Sequence, residues 1–589
     1  MTRQPVYTAS TAFFEALAAA GVSHAFVNLG SDHPAIMETI VRSQRDPALR
    51  DKFPRIITCP SEMVAMSMAD GYARVTGEPQ VVIVHVDVGT QALGVAVHNA
   101  SVGRCPVLVF AGLSPFTCEG ELPGSRTEFI HWLQDVPDQK AIIGQYCRYA
   151  AEVKTPLNIK QMVNRALQFT RSDPAGPAYL VAAREVMEAE MEPYTFQQDH
   201  WRPVEMGALP GTAALTIAQA LASASKPLVI TGYSGRNLAC PAQLVALADT
   251  IPALQVLDGA GSDMSFPSDH PACLGIKQGQ PDDAIPEADV ILVLHCDVPW
   301  VPTLCKPRDD ARIFHVDIDP LKQGMPLFYI PAEARYRADA LATLQQLNAQ
   351  FTSGAVAQPS TQVKTQQAAA RQAAFDARLD AIRRAAQPHP DGSFGTGFLS
   401  KTLATVCPDD TIWAVEAVSN SGHIHSNVRP TAPGHWINCG GGGLGWSGGA
   451  ALGIKLATDK QGKAKFVCQV VGDGTYLFSV PGSVYWISRR YNIPVLTVVL
   501  NNKGWNAPRV SLQLLHPDGE GAKVSNEDLN ISFHPTPDYA GIARAAGAGD
   551  IHAFKVNQAS ELEAVLRDAV EKVKAGTTAV VDARVIPGS

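Results

Sequence analysis

Two polar motifs follow two apolar runs in the last third of the chain. Residues 465–471 (KFVCQVV) run into GDG at 472–474, and residues 494–500 (PVLTVVL) run into the pair Asn501-Asn502. A helical stretch separates the runs, so they form a β-α-β unit whose parallel strands bring their carboxyl ends together, where open α/β sheets bind ligands. Carboxylate and amide oxygens suit Mg²⁺, which usually keeps water and phosphate ligands as well. The pattern predicts a magnesium diphosphate site.

The spacing of the two motifs is specific, although GDG alone is a common tight turn. GDG followed by 26 residues and then by NN resembles the signature of thiamine diphosphate enzymes. Nearly the whole chain resembles the acetolactate synthase, benzoylformate decarboxylase and pyruvate decarboxylase group of that family. The resemblance implies that Mg²⁺ is bound by the side chains of Asp473 and Asn502 and by the carbonyl of Gly504. It also implies cofactor contacts at the rest of the first motif: Gly472, Gly474 and Thr475.

A glycine-rich stretch, NCGGGGLGWSGGAALG at 438–453, precedes the first motif. It is similar to the loop and helix in which the family holds its cofactor in a bent shape. The resemblance implies that Leu444 supports the cofactor and that the Gly442 carbonyl accepts a hydrogen bond from the 4′-amino group. Glu416, at the end of another predicted strand, matches a position near the diphosphate, with Ser419 and Asn420 beside it. Polar residues after a strand are also ordinary turn formers, so both interpretations stay open there.

The first third of the chain supplies a candidate acid. The cofactor's aminopyrimidine works as a base once a carboxylic acid hydrogen-bonds ring nitrogen N1′. Glu62, in CPSEMVAMSMADGYARVTG, lies at a strand-to-helix junction and matches the family's glutamate in its helix motif. The alternative is a glutamate that only stabilises a helix N-terminus. We predict that Glu62 is catalytic.

Residues 81–100 (VVIVHVDVGTQALGVAVHNA) depart from the T-S-G-P-G-x-x-N loop of acetolactate synthases. His85 stands there as a histidine does in benzoylformate decarboxylase, and the Asn-Leu-Gly-Ser ending at Ser31 resembles that enzyme's Asn-Pro-Gly-Ser loop. We therefore predict that His85 and Ser31 contact substrate, with His85 as a proton shuttle. A satisfied structural histidine is the alternative. Weaker candidates in the same domain are Asp87, Gln91, His98 and His131.

The elements that position these residues alternate between helix and strand throughout the chain. This alternation predicts an α/β fold of three doubly wound parallel-sheet domains, named after the resemblance. The predicted pyrimidine-binding domain spans 1–187, the central Rossmann-like domain 205–350 and the diphosphate-binding domain 394–589. An Ala-, Gln- and Arg-rich linker at 351–393 carries one exposed helix, predicted over 361–386.

Composition excludes several partner classes. The 589 residues are 46% hydrophobic and 18% charged with a net charge of −8, which disfavours nucleic acid and anionic membrane as partners. No apolar run approaches the length of a membrane span. The 11 cysteines include no CxxC pair, which is typical of a cytoplasmic protein with reduced thiols.

Some family features are missing. The central domain lacks GxGxxG after a predicted strand, which leaves FAD possible but without support from a motif. Pro299 and Trp300 lie where benzoylformate decarboxylase has a histidine. The sequence after Asn502 lacks elements of acetolactate synthases, although Trp505, Leu477 and Phe478 are candidates for an apolar substrate wall.

Taken together, the resemblance implies a thiamine diphosphate- and Mg²⁺-dependent lyase or carboligase, acetolactate synthase-like, acting on a 2-oxo acid or related carbonyl. Decarboxylation to an enamine would be followed by protonation or by ligation to a second carbonyl. A benzoylformate decarboxylase-like simple decarboxylase, a non-catalytic cofactor-binding homologue and a nicotinamide or flavin oxidoreductase are the alternatives. In the family the cofactor bridges two subunits, which implies a homodimer or homotetramer.

Overall fold

The computed structural model describes residues 6–50, 53–463 and 465–586. Its strands form three six-stranded sheets, and every strand pair within them is parallel. The interior strands are short, buried, largely apolar runs, which is what a sheet covered by helices on both faces requires, whereas several edge strands are partly exposed. The predicted α/β class with three doubly wound parallel sheets is therefore confirmed.

The first sheet has the strand order β2-β1-β3-β4-β6-β5. Its strands are β1 His24–Val27, β2 Arg55–Thr58, β3 Gln80–Val84, β4 Val107–Leu113, β5 Tyr149–Glu152 and β6 Ala178–Ala183. Its helices are α1 Ala9–Ala19, α2 Pro34–Arg45, α3 Pro47–Arg50, α4 Glu62–Thr76, α5 Val88–Ala92, α6 Gly94–Val102, α7 Ile130–Leu133, α8 Lys140–Gly144, α9 Ile159–Arg171 and α10 Arg184–Glu188.

The second sheet has the order β12-β11-β10-β7-β8-β9, the arrangement of dinucleotide-binding folds. Its strands are β7 Pro227–Thr231, β8 Gln255–Asp258, β9 Cys273–Ile276, β10 Val290–Leu294, β11 Arg312–Asp317 and β12 Ala334–Arg337. Its helices are α11 Gly211–Ser223, α12 Cys240–Thr250, α13 Ala284–Glu287 and α14 Ala340–Thr352. The linker helix α15, Thr361–Ala385, buries only Phe375, which agrees with the predicted exposed helix.

The third sheet has the order β14-β13-β15-β16-β18-β17. Its strands are β13 Ile412–Glu416, β14 Trp436–Asn438, β15 Val467–Gly472, β16 Leu496–Asn501, β17 His552–Val556 and β18 Ala579–Arg584. Its helices are α16 Thr396–Val406, α17 Ser421–Val428, α18 Trp446–Lys460, α19 Asp473–Phe478, α20 Pro481–Tyr491, α21 Ala507–Leu515, α22 Tyr539–Ala546 and α23 Ala559–Lys574.

The first and third sheets share one strand order, although the sequence shows no repeat by residue identity. α4 of the first and α18 of the third occupy equivalent places, and they pack against each other with backbone close to backbone. A Cβ on Gly71 would lie 2.3 Å from the Ala450 carbonyl oxygen, and one on Gly453 would lie 2.0 Å from that of Met68. Side chains of both helices share one buried apolar cluster, so this helix pair joins the two domains.

The strands of the three sheets fall within 24–183, 227–337 and 412–584. The domain limits drawn from the sequence stay predictions. All eleven cysteines are free thiols. None of the helices in the described part of the chain combines the length and apolar character needed to cross a membrane.

Candidate active site

The first part of the site lies at the carboxyl ends of β15 and β16, which pair through Gly472 and Leu500. Asp473 is the first residue of α19 and is only 2% exposed. Its Oδ1 accepts a hydrogen bond from the Gly474 N–H at 2.7 Å, and its Oδ2 accepts one from the Gly504 N–H at 3.1 Å. The two motifs predicted to meet are therefore joined through one buried carboxylate.

Asn502 completes this arrangement. One terminal atom of its side-chain amide lies 3.1 Å from each Asp473 carboxylate oxygen and 2.8 Å from the Gly504 carbonyl oxygen. As a nitrogen, this atom donates to those oxygens; as an oxygen, it needs a cation among them. Neighbouring oxygens around Mg²⁺ lie about 3 Å apart, because the metal–oxygen distance is about 2.1 Å in an octahedron. The donor set and its spacing fit the predicted metal ligands.

The environment of Asp473 also favours a cation. Burial raises the pKa of Asp473 to about 6, although the surrounding backbone N–H donors lower it. Among the described residues, no group of three or more His, Cys, Asp or Glu side chains is arranged to hold a metal. The candidate centre uses instead one carboxylate, one amide and one carbonyl, a set that suits Mg²⁺ rather than a softer metal.

The loop after β16 has little freedom. Gly504 has φ +152°, and a Cβ there would lie 2.2 Å from the Ile531 carbonyl oxygen. Trp505 stacks edge-on against Phe533, with ring centroids 4.9 Å apart, and its indole nitrogen closes over Gly474. Phe478 lies beside Trp505 and is 48% exposed, whereas Leu477 packs partly into the core. Two members of the predicted apolar wall thus lie together next to the candidate metal centre.

Glu416 has a structural role in addition to the one predicted. Its carboxylate is 3% exposed and accepts hydrogen bonds from the backbone N–H groups of Gly445, Trp446 and Ser447, at 2.9, 3.2 and 2.7 Å. These are the orphan donors at the N-terminus of α18, so Glu416 caps that helix. Contact with a diphosphate stays a prediction for Glu416. Ser419 is exposed after the same strand, and is the freer candidate there.

The glycine-rich loop packs on α6 of the first domain. The Asn99 side chain donates to the Gly443 carbonyl at 2.7 Å and accepts from the Gly443 N–H at 2.9 Å. Gly442 is exposed, and a Cβ there would meet nothing within 4 Å, whereas one on Gly443 would lie 2.5 Å from Val95. Leu444 is half-buried beside it. Gly442 therefore faces open space next to the predicted cofactor residues.

Glu62 lies at the same junction as this loop. It is the first residue of α4, and the N-termini of α4 and α18 lie together, since a Cβ on Gly445 would lie 2.4 Å from the end of the Met63 side chain. Gly89 joins Glu62 to His85: a Cβ there would lie 3.4 Å from Glu62 Oε1 and 3.1 Å from His85 Cβ. The predicted acid and the predicted proton shuttle are thus neighbours.

Ser31 and His85 follow β1 and β3, and the structure adds a residue between them. His85 Nδ1 makes a short hydrogen bond to Asp32, and its Nε2 lies 3.2 Å from Gln134 Nε2. Ser31 Oγ lies 3.4 Å from Nε2 of the buried His131. Sequence reasoning missed Asp32 and Gln134. Adjacency to Ser31 was the one signal for Asp32, whereas nothing in the sequence pointed to Gln134.

The weaker candidates separate into two groups. Asp87 accepts a hydrogen bond from Gln91 at 2.8 Å, so these two side chains partner each other within α5 and its start. His98 reaches the glycine-rich loop, with its Nε2 3.4 Å from the Gly442 nitrogen, and its ring packs edge-on against Tyr146. His98 therefore lies closer to the predicted cofactor residues than Asp87 or Gln91 does.

The carboxyl edge of the central sheet gives FAD no support. Arg104, from the first domain, reaches into it, pairs with Asp297 and stacks over Tyr233 at 4.5 Å. Lys322 Nζ binds Asp297 at 2.7 Å and Asp317 at 2.6 Å. These charged side chains pair with one another at the carboxyl edge of the sheet, where dinucleotides bind in such folds. The expectation that FAD was possible is not supported.

Three parallel sheets, with an oxygen cluster on one and a glutamate on another, define a cofactor-dependent α/β enzyme. Comparison with known families agrees. Models of the thiamine pyrophosphate enzyme N-terminal, central and C-terminal domains match residues 7–142, 215–347 and 417–583. The chain belongs to the thiamine pyrophosphate enzyme family. The resemblance seen in the sequence, and the cofactor it implied, are confirmed at this level.

Individual relatives are distant. The chain is 26% identical to a probable 2-ketoarginine decarboxylase of Pseudomonas aeruginosa, over 86% of this chain and 83% of that protein. It is 24% identical to the acetolactate synthase isozyme 3 large subunit of Escherichia coli, over 89% and 87% of the two chains. The structure of a thiamine diphosphate-dependent 4-hydroxybenzoylformate decarboxylase from Rhodococcus jostii has a TM-score of 0.77 at 21% identity, over 99% and 100%. That last likeness shows the fold.

Proposed function

We propose that this enzyme is a thiamine diphosphate- and Mg²⁺-dependent decarboxylase of a 2-oxo acid that releases an aldehyde. The observation that carries the proposal is the packing of Glu62 and His85 together against Gly89, next to the glycine-rich loop. An acid for the cofactor and a proton donor for the product then belong to one cleft. The names of the decarboxylase relatives support the same class.

The residues divide the work of binding. Asp473, Asn502 and Gly504 would hold Mg²⁺ and through it the diphosphate, while the open side of Gly442 and the half-buried Leu444 would receive the rings. Glu62 would hydrogen-bond the pyrimidine ring. When bound, thiamine diphosphate supplies the carbon nucleophile and the electron sink for loss of CO₂.

His85 would decide the outcome. The hydrogen bond that His85 Nδ1 donates to the Asp32 carboxylate raises the pKa of His85, which favours the protonated imidazole. A cationic imidazole can pair with the carboxylate of a 2-oxo acid and then give its proton to the carbon that loses CO₂. Ser31, next to Asp32 on the same loop, would hydrogen-bond the substrate as well. Rapid protonation produces an aldehyde.

Carboligation is the second candidate. It is favoured by the acetolactate synthase relative and by the exposed face of Phe478 beside Trp505, which offers an apolar surface to a second carbonyl compound. The two reactions share the loss of CO₂ and differ in whether a proton or a carbonyl carbon is added next.

The test is direct. Purified protein with Mg²⁺ and thiamine diphosphate is incubated with a panel of 2-oxo acids, with and without an added aldehyde, and CO₂ and products are measured by mass. Aldehyde as the main product supports decarboxylation, whereas 2-hydroxyketone as the main product supports ligation. Bound cofactor without CO₂ from any 2-oxo acid would contradict both and favour the non-catalytic alternative. For the substrate that is turned over, Glu62→Gln should lower CO₂ release, and Glu38→Gln, at an exposed glutamate of the same domain, is its control.

We also propose a homodimer or homotetramer, on the family resemblance. Within one chain Glu62 already lies at the glycine-rich loop, so the residues alone do not decide whether the cofactor bridges two subunits. Co-expression of Glu62→Gln and Asp473→Ala subunits distinguishes the two cases. A site shared between subunits regains part of the activity in mixed oligomers, because one site per pair is then unmutated. A site within one chain regains none.

A further inference from the structure

Asp32 is a buried carboxylate in the first domain. It is 4% exposed, and its two oxygens have separate partners. Oδ2 accepts the Val86 N–H at 3.0 Å, while Oδ1 receives Nδ1 of His85 in a short hydrogen bond and lies 3.3 Å from Nδ1 of His33. The backbone contact holds the carboxylate still, so the His85 ring is held through Nδ1.

Two glycines make room for this pair. A Cβ on Gly112 would lie 1.9 Å from Asp32 Oδ2, and one on Gly30 would lie 2.1 Å from Nδ1 of His85. A residue larger than glycine at position 112 would displace the Asp32 side chain, and one at position 30 would displace the His85 ring. The carboxylate–imidazole pair is therefore built into the backbone at the ends of β1, β3 and β4.

The other ring nitrogen of His85 faces Gln134. The Gln134 amide nitrogen is 3.2 Å from Nε2, and its buried Oε1 has no hydrogen-bond partner among the described residues. A neutral ring, with its proton on Nδ1, accepts from this amide. A protonated ring requires the amide to turn, which also satisfies the orphaned oxygen. Gln134 can thus hydrogen-bond Nε2 of His85 both when this nitrogen is protonated and when it is not.

We propose that Asp32 is a positioning residue that holds His85 through Nδ1 and makes Nε2 the nitrogen that releases and regains the proton. The proposal deepens the proposed function and rests on it for the identity of the proton acceptor. In the step itself, the Nε2–H bond breaks, its proton goes to the product carbon, and the electron pair left on Nε2 is reprotonated from water. Asp32 neither gains nor loses a proton.

The surrounding charges agree with this role. Asp32 and Glu62 are the carboxylates that act on His85, and both raise its pKa. Burial lowers the pKa of His33, and burial together with Arg184 lowers that of His131. Of these three imidazoles, His85 is the one whose pKa is raised.

The test measures His85 first without turnover. In protein labelled with ¹³C at histidine Cε1, the His85 signal is assigned with His85→Asn and titrated in wild type and in Asp32→Asn. We expect its midpoint to fall by at least about one pH unit in the variant, since a carboxylate next to an imidazole shifts the pKa by about that amount. An unchanged midpoint would overturn the proposal. Asp138→Asn, at an exposed carboxylate of the same domain, is the control and should leave the signal unchanged.

Kinetics supply the second measurement. In Asp32→Asn we expect kcat/KM for the active 2-oxo acid to fall by about 100-fold, with the alkaline limb of the pH profile moved to lower pH. Cofactor affinity should remain within about threefold. If Asp32→Asn and Asp32→Ala lower activity equally with no change in the pH profile, Asp32 is only structural. If no 2-oxo acid is turned over, the proposed function fails, while the titration still decides the Asp32–His85 pair.

Discussion

The first and third sheets have the same strand order, yet their equivalent helices use glutamate in opposite ways. Glu416 lies against the N-terminus of α18, buried, with three backbone N–H donors on its carboxylate. Glu62 begins α4, is half-buried, and has no hydrogen bond to its carboxylate among the described residues. The N-terminus of α18 uses the Glu416 carboxylate as a hydrogen-bond acceptor for its own backbone, whereas the Glu62 carboxylate at the start of α4 is available to a ligand. The same architecture thus provides a scaffold on one side and a reactive group on the other.

The largest effect is expected at the free carboxylate. Glu62→Gln keeps size and hydrogen bonding but removes the acid, so we expect kcat to fall by about 1,000-fold, or about 4 kcal/mol in the barrier. Binding of Mg²⁺ and thiamine diphosphate, followed by tryptophan fluorescence, should persist. Equal activity of Glu62→Gln and wild type would remove Glu62 from the catalytic residues and with it the contrast with Glu416.

The next effect is expected in the third sheet. Asp473→Ala removes the one carboxylate of the oxygen cluster, so affinity for thiamine diphosphate with Mg²⁺ should fall by at least about 100-fold. Titration by fluorescence or calorimetry measures it. Asp568→Ala, at an exposed carboxylate of α23, should bind normally. Normal binding by Asp473→Ala would exclude this cluster as the metal centre.

The candidate metal ligands could be predicted from the sequence, whereas the roles of Asp32 and Glu416 could not. Apolar runs and the GDG and NN motifs predicted the sheets and the meeting of Asp473 and Asn502, because local pattern determines a β-α-β unit. Gly504 was implied by the family resemblance. Asp32 and the cap formed by Glu416 were not predicted in those roles. Each depends on which backbone groups a distant segment presents to it, and no local pattern encodes that. The close approach of α4 and α18 could not be predicted for the same reason, because a glycine within a helix does not indicate which segment packs against it.

The capping glutamate should affect stability more than chemistry. Burial raises the pKa of Glu416 to about 7, above its usual value of 4.5. Between these two pH values the folded state holds a proton on Glu416 that the unfolded chain has lost. Stability is therefore fully present below about pH 4.5 and declines as the pH rises towards 7. Glu416→Gln should flatten that decline in the free energy of unfolding measured by denaturant. A decline of the same slope in Glu416→Gln would assign it to another group.

The smallest effects are expected for two alanine substitutions in the glycine-rich loop, which separate a glycine needed for packing from a glycine available to the cofactor. Gly443→Ala would force a Cβ to within 2.5 Å of Val95, so we expect a loss of about 1–3 kcal/mol in the free energy of unfolding. Gly442→Ala adds its Cβ to open space, so unfolding should change by less than about 0.5 kcal/mol. If a cofactor ring occupies that space, Gly442→Ala will weaken cofactor binding while stability stays constant. If Gly442→Ala alters neither stability nor binding, the cofactor ring does not lie against Gly442. The glycine-rich loop would then contribute no contact to the reactive groups, which would all lie in the first domain.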